Sequence, residues 1–454
     1  MTELIQAIGR LFDALSTLSA LPPRLSVDLT LSDHVDPIEW LDAQPLFPKF
    51  YWQSRDGAEE TVALGQVRTF SNPYSAELVL EDGQRIWGGR SFDGRTERNQ
   101  RCLQSFFFLP QIELSRVGET WYLSLNTGDD IGKARAALNK LSDSTSTLAR
   151  PQCDILDAEH SPSYSQWSSM LEKALAEIDS TDLQKVVLAR KTSLTLDRHI
   201  SAAQLLKASR EQNSANFHFL LALDEKHSFV GSTPERLFNR QGQALLTEAL
   251  AGTIGRGKTA QDDKALAQWL LNDPKNIYEN RLVVEDIESR LLPSSIALTV
   301  EGSPHLVQLR KVQHLKRDIE AELHNDVSSS DLLDMLQPTA AIAGLPRDNA
   351  VKFITENEPF ARGWYSGAVG FLGRERSEFC VAIRSALVMN DTLHLFAGAG
   401  IVPGSEPETE WKELDRKMST LMSLLSPVLD PLPFEKKRSM LPMSNTIDME
   451  QKAG

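Results

Sequence analysis

The sequence predicts an α+β protein, and two observations carry that expectation. Short strand-like stretches crowd the first 150 residues, with Asp-Gly pairs at 56–57, 82–83 and 93–94 to turn the chain between them. Beyond residue 160, runs with apolar residues at three- and four-residue steps are interleaved with further strand-like runs. No internal repeat of the kind that marks a solenoid is visible.

Taken in order, MTELIQAIGRLFDALSTLSAL reads as a short amphipathic helix. It lacks a basic n-region and a small-residue cleavage site, so no secretory signal is expected. FPKFYWQ (47–53), TVALGQVRTF (61–70), QRIWGG (84–89), SFFFLPQIELSRV (105–117) and TWYLSLNT (120–127) predict an antiparallel β layer. Residues 1–150 are therefore expected to form a β-rich subdomain packed on the rest. The polar, Pro-punctuated stretch 141–163 is a connector, and the boundary lies there. A second region, 151–430, opens with a helix over 165–180, where Trp167, Leu171, Ala174, Leu175 and Ile178 keep helical spacing. Strands are expected over 183–196, 217–224 and 227–240. Residues 262–292 are strongly helical, with Pro274 in a first turn or at a break. EFCVAIRSALVMN (378–390) and DTLHLFAGAGIV (391–402) predict a hairpin of two strands. The tail, 431–454, has little periodicity and is expected to be disordered.

Composition removes several function classes. The chain has 454 residues, enough to bury a sizeable core, with 41% hydrophobic and 24% charged residues. Its formal net charge of −14 argues against non-specific nucleic-acid binding, which needs clustered Lys and Arg. A small anion sees only the local field and stays possible. No apolar run approaches the roughly 20 residues of a membrane helix. Cys102, Cys153 and Cys380 are scattered and odd in number, which fits reduced thiols in a cytoplasmic protein and no zinc or disulfide framework.

The chemistry-bearing signals sit mainly in the second region. In PETEWKELDRK, Glu410, Glu413 and Lys417 recur at three- and four-residue steps and share one helical face. Trp411, Leu414, Met418, Leu421 and Leu425 form the neighbouring apolar stripe, so the acids flank the buried side and do not oppose it. Glu279, in NIYENRLVV, is a further acid on a predicted helix. Carboxylates from two helices suit Mg²⁺, a hard cation that keeps waters for a ligand to replace. Taken singly, each is more often a solvated surface glutamate. Lys185 begins the strand KVVLAR; it is either a solvated strand end or a general base. A lysine ordinarily titrates near about 10.4, so the second role requires desolvation or a neighbouring cation. Glu235, in GSTPERL beside a proline, is a turn glutamate or a general acid held in partly apolar surroundings. ALAGTIGRG (249–257) and FAGAGIVPG (396–404) can bring backbone N–H groups close to a carboxylate, although neither fits a nucleotide-binding fingerprint.

Together these motifs resemble the chorismate-utilising enzymes, the isochorismate, salicylate, anthranilate and aminodeoxychorismate synthases. The resemblance covers residues 160–428 and rests on an ordered series: KVVLAR, GSTPERL, TEALAGT, YENRLVV, KVQHL, LQPTAAIAGLP, GWYSGAVG, FCVAIRS, GAGIV and ETEWKELDRK. WLDAQPLFPKFYWQSRDG adds a likeness to isochorismate synthases of the menaquinone-pathway type. The resemblance implies an anthranilate-synthase component I-like fold, with antiparallel β-sheets packed together inside and helices outside. It implies an Mg²⁺-dependent conversion of chorismate to isochorismate by water attack at C2 with loss of the C4 hydroxyl. Lys185 matches the residue that activates water, and Glu235 the acid that protonates the leaving group. Glu279 and Glu413 match metal-binding glutamates, with Glu410 acting through water. Tyr365, Arg384 and Lys417 match residues that hold the side-chain carboxylate, beside Gly398 and Gly400. Gly252 and Thr253 match a loop near the ring carboxylate, and His314 a histidine beside the ring. Ammonia-using relatives have a non-basic residue in place of Lys185, and aminodeoxychorismate synthases carry a nucleophilic lysine where Ala251 stands. Water is thus the implied nucleophile, and no glutaminase subunit is expected. A salicylate synthase and a non-catalytic chorismate-binding relative are the alternatives.

Overall fold

The computed structural model describes residues 3–18, 22–32, 35–95, 105–128 and 130–425; Cys102 and the 431–454 tail lie outside them. The first region contains α1 (Glu3–Thr17), β1 (Arg24–Leu29), α2 (Pro37–Ala43), β2 (Lys49–Gln53), β3 (Glu59–Leu64), β4 (Arg68–Phe70), α3 (Pro73–Glu77), β5 (Arg85–Arg90), β6 (Ser105–Leu109), β7 (Ile112–Val117), β8 (Thr120–Asn126) and α4 (Ile131–Lys140). Then come β9 (Ile155–Ser161), α5 (Tyr164–Ser180), β10 (Lys185–Leu196), α6 (Ala202–Gln212), β11 (Phe217–Ala222), β12 (His227–Thr233), β13 (Arg236–Gln241) and β14 (Ala244–Gly255). Next are α7 (Ala260–Asn272), α8 (Pro274–Leu291), β15 (Ser295–Val300), β16 (His305–Gln308), β17 (Val312–Leu323), α9 (Ser329–Leu336) and β18 (Gly344–Leu345). The last are α10 (Arg347–Asn357), β19 (Ala368–Gly373), β20 (Arg376–Val381), β21 (Ser385–Met389), β22 (Thr392–Ile401) and α11 (Pro407–Met422). No helix among the described residues is long and apolar enough to cross a membrane.

The strands form two antiparallel sheets. The larger runs β1-β8-β7-β3-β2-β11-β12-β21-β22-β10-β18, with β9 also on β10. The smaller runs β15-β17-β14-β13-β20-β19-β5-β6-β4, with β16 on β17. Both contain strands from before and after residue 150, joined at the β2–β11 and β5–β19 pairings. Between the sheets lies an aromatic core that includes Phe50, Trp52, Phe217 and Phe219 from one sheet and Trp87, Phe108 and Phe371 from the other. Strand β11 shows why the sequence allows this. Phe217, Phe219 and Leu221 face the second sheet, while Leu220 and Ala222 belong to the core under the helices. A strand covered on both faces reads as a continuous apolar run. The α+β class and the helices-outside arrangement are as expected.

Four stretches expected as single strands change sheet partway. Residues 61–70 pass from β3 to β4, 105–117 from β6 to β7, 227–240 from β12 to β13, and 378–390 from β20 to β21. The breaks fall at Gly65, Pro110, Pro234 and Arg384, and Gly65 and Arg384 have φ of 64° and 50°. Consequently the predicted hairpin of 378–390 with 391–402 is the narrower pairing of β21 with β22, registered at Ala386↔Leu395. The last two crossovers lie side by side. Ser232 N–H donates to the Arg384 carbonyl at 3.1 Å, and Val381 N–H donates to the Glu235 carbonyl at 3.0 Å. Pro274 begins α8, as its missing N–H permits, with Asp273 capping the helix through Asn276 N–H.

Strand β10 has an interrupted edge. On one side β18 pairs only with residues 185–186, and β9 pairs from residue 191 onward. Side chains fill the gap. The Ala189 N–H donates to Glu358 Oε1 at 2.8 Å, and Arg362 Nη2 donates to the Val187 carbonyl at 2.7 Å. Glu358 and Arg362 are themselves a buried pair at 2.5 Å, and Arg362 Nη1 also donates to the Ile342 carbonyl at 3.0 Å. Removing one partner leaves a buried charge and open backbone groups, so Glu358→Ala is expected to cost about 3–5 kcal/mol. A denaturant midpoint within experimental error of the parent would contradict this role.

Candidate active site

The two strands nearest the chemistry are β10 and β22, registered so that Val187 faces Gly400 and Ala189 faces Gly398. Glycine is required here for space. A Cβ on Gly400 would overlap Glu279 Oε1 and stand 3.0 Å from Lys185 Cε. A Cβ on Gly398 would come within 2.9 Å of the Tyr365 hydroxyl. These glycines therefore let side chains from other elements lie on the sheet, a steric role beyond the backbone approach expected from the sequence.

Lys185 is wholly buried at the start of β10. Its Nζ lies 3.0 Å from Glu279 Oε1 of α8, in a geometry that makes no hydrogen bond, and has no other partner among the described residues. Helix α11 brings a second acid–lysine pair, with Lys417 Nζ 2.6 Å from Glu413 Oε1 and donating to the Gly398 carbonyl at 2.8 Å. Burial raises the Glu413 carboxyl, but Lys417, Arg416 and Lys275 outweigh it and hold it below the ordinary range. Glu410 instead turns to Lys275 Nζ, at 2.7 Å. Burial and Glu413 hold its carboxyl above the usual range, against the pull of Lys275.

The crossovers carry the remaining charged groups. Arg384 Nη2 lies 3.3 Å from His314 Nε2, and His314 Nδ1 lies 2.9 Å from Thr253 Oγ1. Burial, Arg384 and Lys417 hold the imidazole well below its ordinary range, so it is neutral. A neutral ring beside a guanidinium accepts at Nε2, which places its proton on Nδ1, toward Thr253. Burial also lowers Arg384 to about 10, still charged at neutral pH. Thr253 and His314 are register partners across β14 and β17, and a shift in that register falls between Leu250 and Thr253. Gly252, at φ 87°, occupies this bulge. Tyr365 stacks on Phe396 with ring centroids 5.1 Å apart. Glu235, 4% exposed, is raised to about 8 by burial and by Glu248, against Lys185, Lys417 and Arg384.

One cavity gathers most of these residues. Glu235, Gly252, Thr253, Glu279, His314, Tyr365, Arg384, Gly398, Gly400, Glu413 and Lys417 line it. Lys185 stands behind Glu279 and Gly400 and is not in the lining; Glu410 is also set back. Sequence reasoning missed Lys275, although it precedes Glu279 by one helical turn and shares its face. It also missed the apolar wall of Ile342, Ile383 and Phe396, whose residue types carry no chemical signal. Among the described residues, a different acid–imidazole group converges, the partly exposed Glu301, His305 and Asp318, outside this cavity. Glu279 and Glu413 nonetheless offer hard oxygen ligands from two helices to one space, and the Lys185 amine, which makes no hydrogen bond, lies beside Glu279. That donor set suits a divalent cation that retains waters.

Residues 20–426 match the family described as chorismate binding enzyme. The chain belongs to that family. It is 39% identical over 411 residues to the isochorismate synthase MenF of Escherichia coli, covering 88% of this chain and 93% of that protein. The solved structure of the menaquinone-specific isochorismate synthase from Escherichia coli superimposes with a TM-score of 0.87, at 39% identity over 94% of this chain and 100% of that one. Anthranilate synthase component I from Streptococcus pneumoniae shares the fold, with a TM-score of 0.62 at 20% identity, covering 89% and 93% of the two chains. The expected family and fold are thus both found.

Because Gly400 makes room for the Lys185–Glu279 pair, Gly400→Ala is expected to lower turnover at least tenfold while leaving the fold intact. Parent-like kinetics in a variant with unchanged circular dichroism would refute the packing argument.

Proposed function

We propose that this chain is an isochorismate synthase. The observation that carries the reading is a carboxyl held in its protonated form in a cavity also lined by Arg384 and Lys417, with the buried Lys185 amine set behind Glu279 and Gly400. The names of the relatives at 39% identity point the same way. Chorismate, a dianion, would meet Arg384 and Lys417 with one carboxylate, next to the Tyr365 hydroxyl; a guanidinium can fork onto it. The neutral His314 and the Gly252–Thr253 bulge border the ring.

The reaction needs a base on one side of the exchange and an acid on the other. The water oxygen bonds to C2 while its proton passes to the Lys185 amine. Both ring double bonds shift by one position, the C4–oxygen bond breaks, and Glu235 gives its proton to the departing hydroxyl, which leaves as water. One water enters and one departs, so substrate and product are isomers. The two residues then exchange one proton with solvent. An ammonium cannot accept a proton, so Lys185 acts only in its uncharged form. The set-back position of Lys185 means that Glu279 must turn from it before water can reach the amine. Mg²⁺ fits the site; Glu279 and Glu413 would hold it, with Glu410 in support, and it would neutralise a substrate carboxylate. Likeness to the menaquinone-specific enzyme supports menaquinone formation as the destination of the product.

Incubation with chorismate and Mg²⁺, followed by product chromatography, is expected to yield isochorismate. Salicylate with pyruvate, or unchanged chorismate, would overturn the reading. Lys185→Gln should abolish turnover with chorismate affinity retained, and Glu235→Gln should cost about 10²–10⁴-fold in rate; a loss under tenfold for either removes it from its role. Thorough chelation should stop turnover and added Mg²⁺ restore it, whereas activity that survives chelation rejects the metal.

A further inference from the structure

Glu235 sits on a backbone turn that changes sheets, and such a turn needs an anchor. Its own strand neighbours supply two bonds, Val381 N–H to the Glu235 carbonyl and Glu235 N–H to Thr233 Oγ1 at 3.3 Å. The flanking peptide groups are held from farther away. Arg236 N–H donates to Glu248 Oε1 of β14 at 2.9 Å. Arg55, in the turn between β2 and β3, donates through Nη1 to that same Glu248 oxygen at 2.6 Å and to the Pro234 carbonyl at 2.8 Å. The groups on both sides of Glu235 therefore end on one arginine–glutamate pair.

That pair is built into the protein. Glu248 is 3% exposed, and its other oxygen lies 3.5 Å from Lys316 Nζ. The Arg55 and Arg236 guanidinium groups each stand 5.6 Å from the Phe217 ring centre, and such contacts restrict a side chain's freedom. Neither Arg55 nor Glu248 lines the cavity, so neither touches substrate.

We infer that Arg55 and Glu248 are positioning residues for the reaction, fixing the crossover that aims Glu235 into the cavity and setting its electrostatic surroundings. This inference rests on the proposed role of Glu235 as the acid. The charged and titratable groups acting on that carboxyl come from several elements. Lys185 of β10, Lys417 of α11 and Arg384 of the second crossover favour its ionised form; Glu248 opposes them, and the Cys380 thiol of β20 is a further neighbour. Three cations would otherwise strip the proton from an acid that must carry it. The Glu248 carboxylate, after burial, is the largest influence that keeps it on.

The test is a pH profile. In the parent enzyme kcat/KM should fall on the alkaline side near the value of about 8 to which Glu235 is raised. Glu248→Gln keeps an oxygen for Arg236 N–H and Arg55 but removes the charge, so the alkaline limb should move down by about half a pH unit or more. Glu248→Asp keeps the charge but shortens the reach, so kcat should drop at least tenfold with the limb in place. Arg55→Met removes the Nη1 donor from both acceptors and should lower kcat with chorismate KM unchanged. An unmoved limb in Glu248→Gln, or parent kcat in Glu248→Asp, overturns the inference, and the second variant serves if the first does not fold. Glu235→Gln run alongside separates the failures. If it retains parent turnover, the acid assignment falls. If it is inactive while the Glu248 and Arg55 variants behave as the parent, only the positioning claim falls.

Discussion

Two antiparallel sheets packed face to face share strands only where the chain leaves one and enters the other, and the site depends on that geometry. At such a point the backbone cannot continue its ladder, so a side chain is freed to point into the space between layers. Glu235 and Arg384 occupy two adjacent points of this kind, tied to each other through Ser232 and Val381. An acid and a cation reach the same cavity because their peptide groups are bonded together. The positive φ of Arg384 marks the strain accepted there. The equivalent crossings near Gly65 and Pro110 are also neighbours, with Val67 N–H on the Leu109 carbonyl at 2.8 Å, but they carry no cavity residues.

Electrostatics follow from that placement. Burial alone would neutralise most of these groups, yet the site keeps Arg384 charged and Glu413 ionised while it holds Glu235 protonated and His314 neutral. Each outcome has a nameable neighbour: Lys417 for Glu413, Glu248 for Glu235, Arg384 for His314. Environments that push like groups apart assign acid and base roles. Two glutamates that line one cavity are thereby held in different protonation states.

Much of this was legible in the residues. The helical face of Glu410, Glu413 and Lys417, the first-turn Pro274 and the β-rich start all follow from spacing and turn chemistry. The ordered motifs named the family and most of the cavity lining. What spacing could not supply was a change of sheet within an uninterrupted apolar run. Periodicity along 227–240 or 378–390 is the same whether one sheet or two receive the strand. Nor could it show that Lys185 is screened by Glu279 or that Glu410 turns to Lys275, since both depend on elements distant in sequence brought together in three dimensions. The contribution of Arg55 is of the same kind, because it reaches across 179 residues of chain to the Pro234 carbonyl.

The Glu358–Arg362 pair beside β10 has a consequence for solvent. A sheet rim with bare amide and carbonyl groups is a wetting surface, and Val187 of this rim also lines the cavity. By occupying those groups with side-chain atoms that are fully enclosed, the protein caps them against solvent. Solvent is thereby given no hydrogen-bonding foothold on that flank of the cavity.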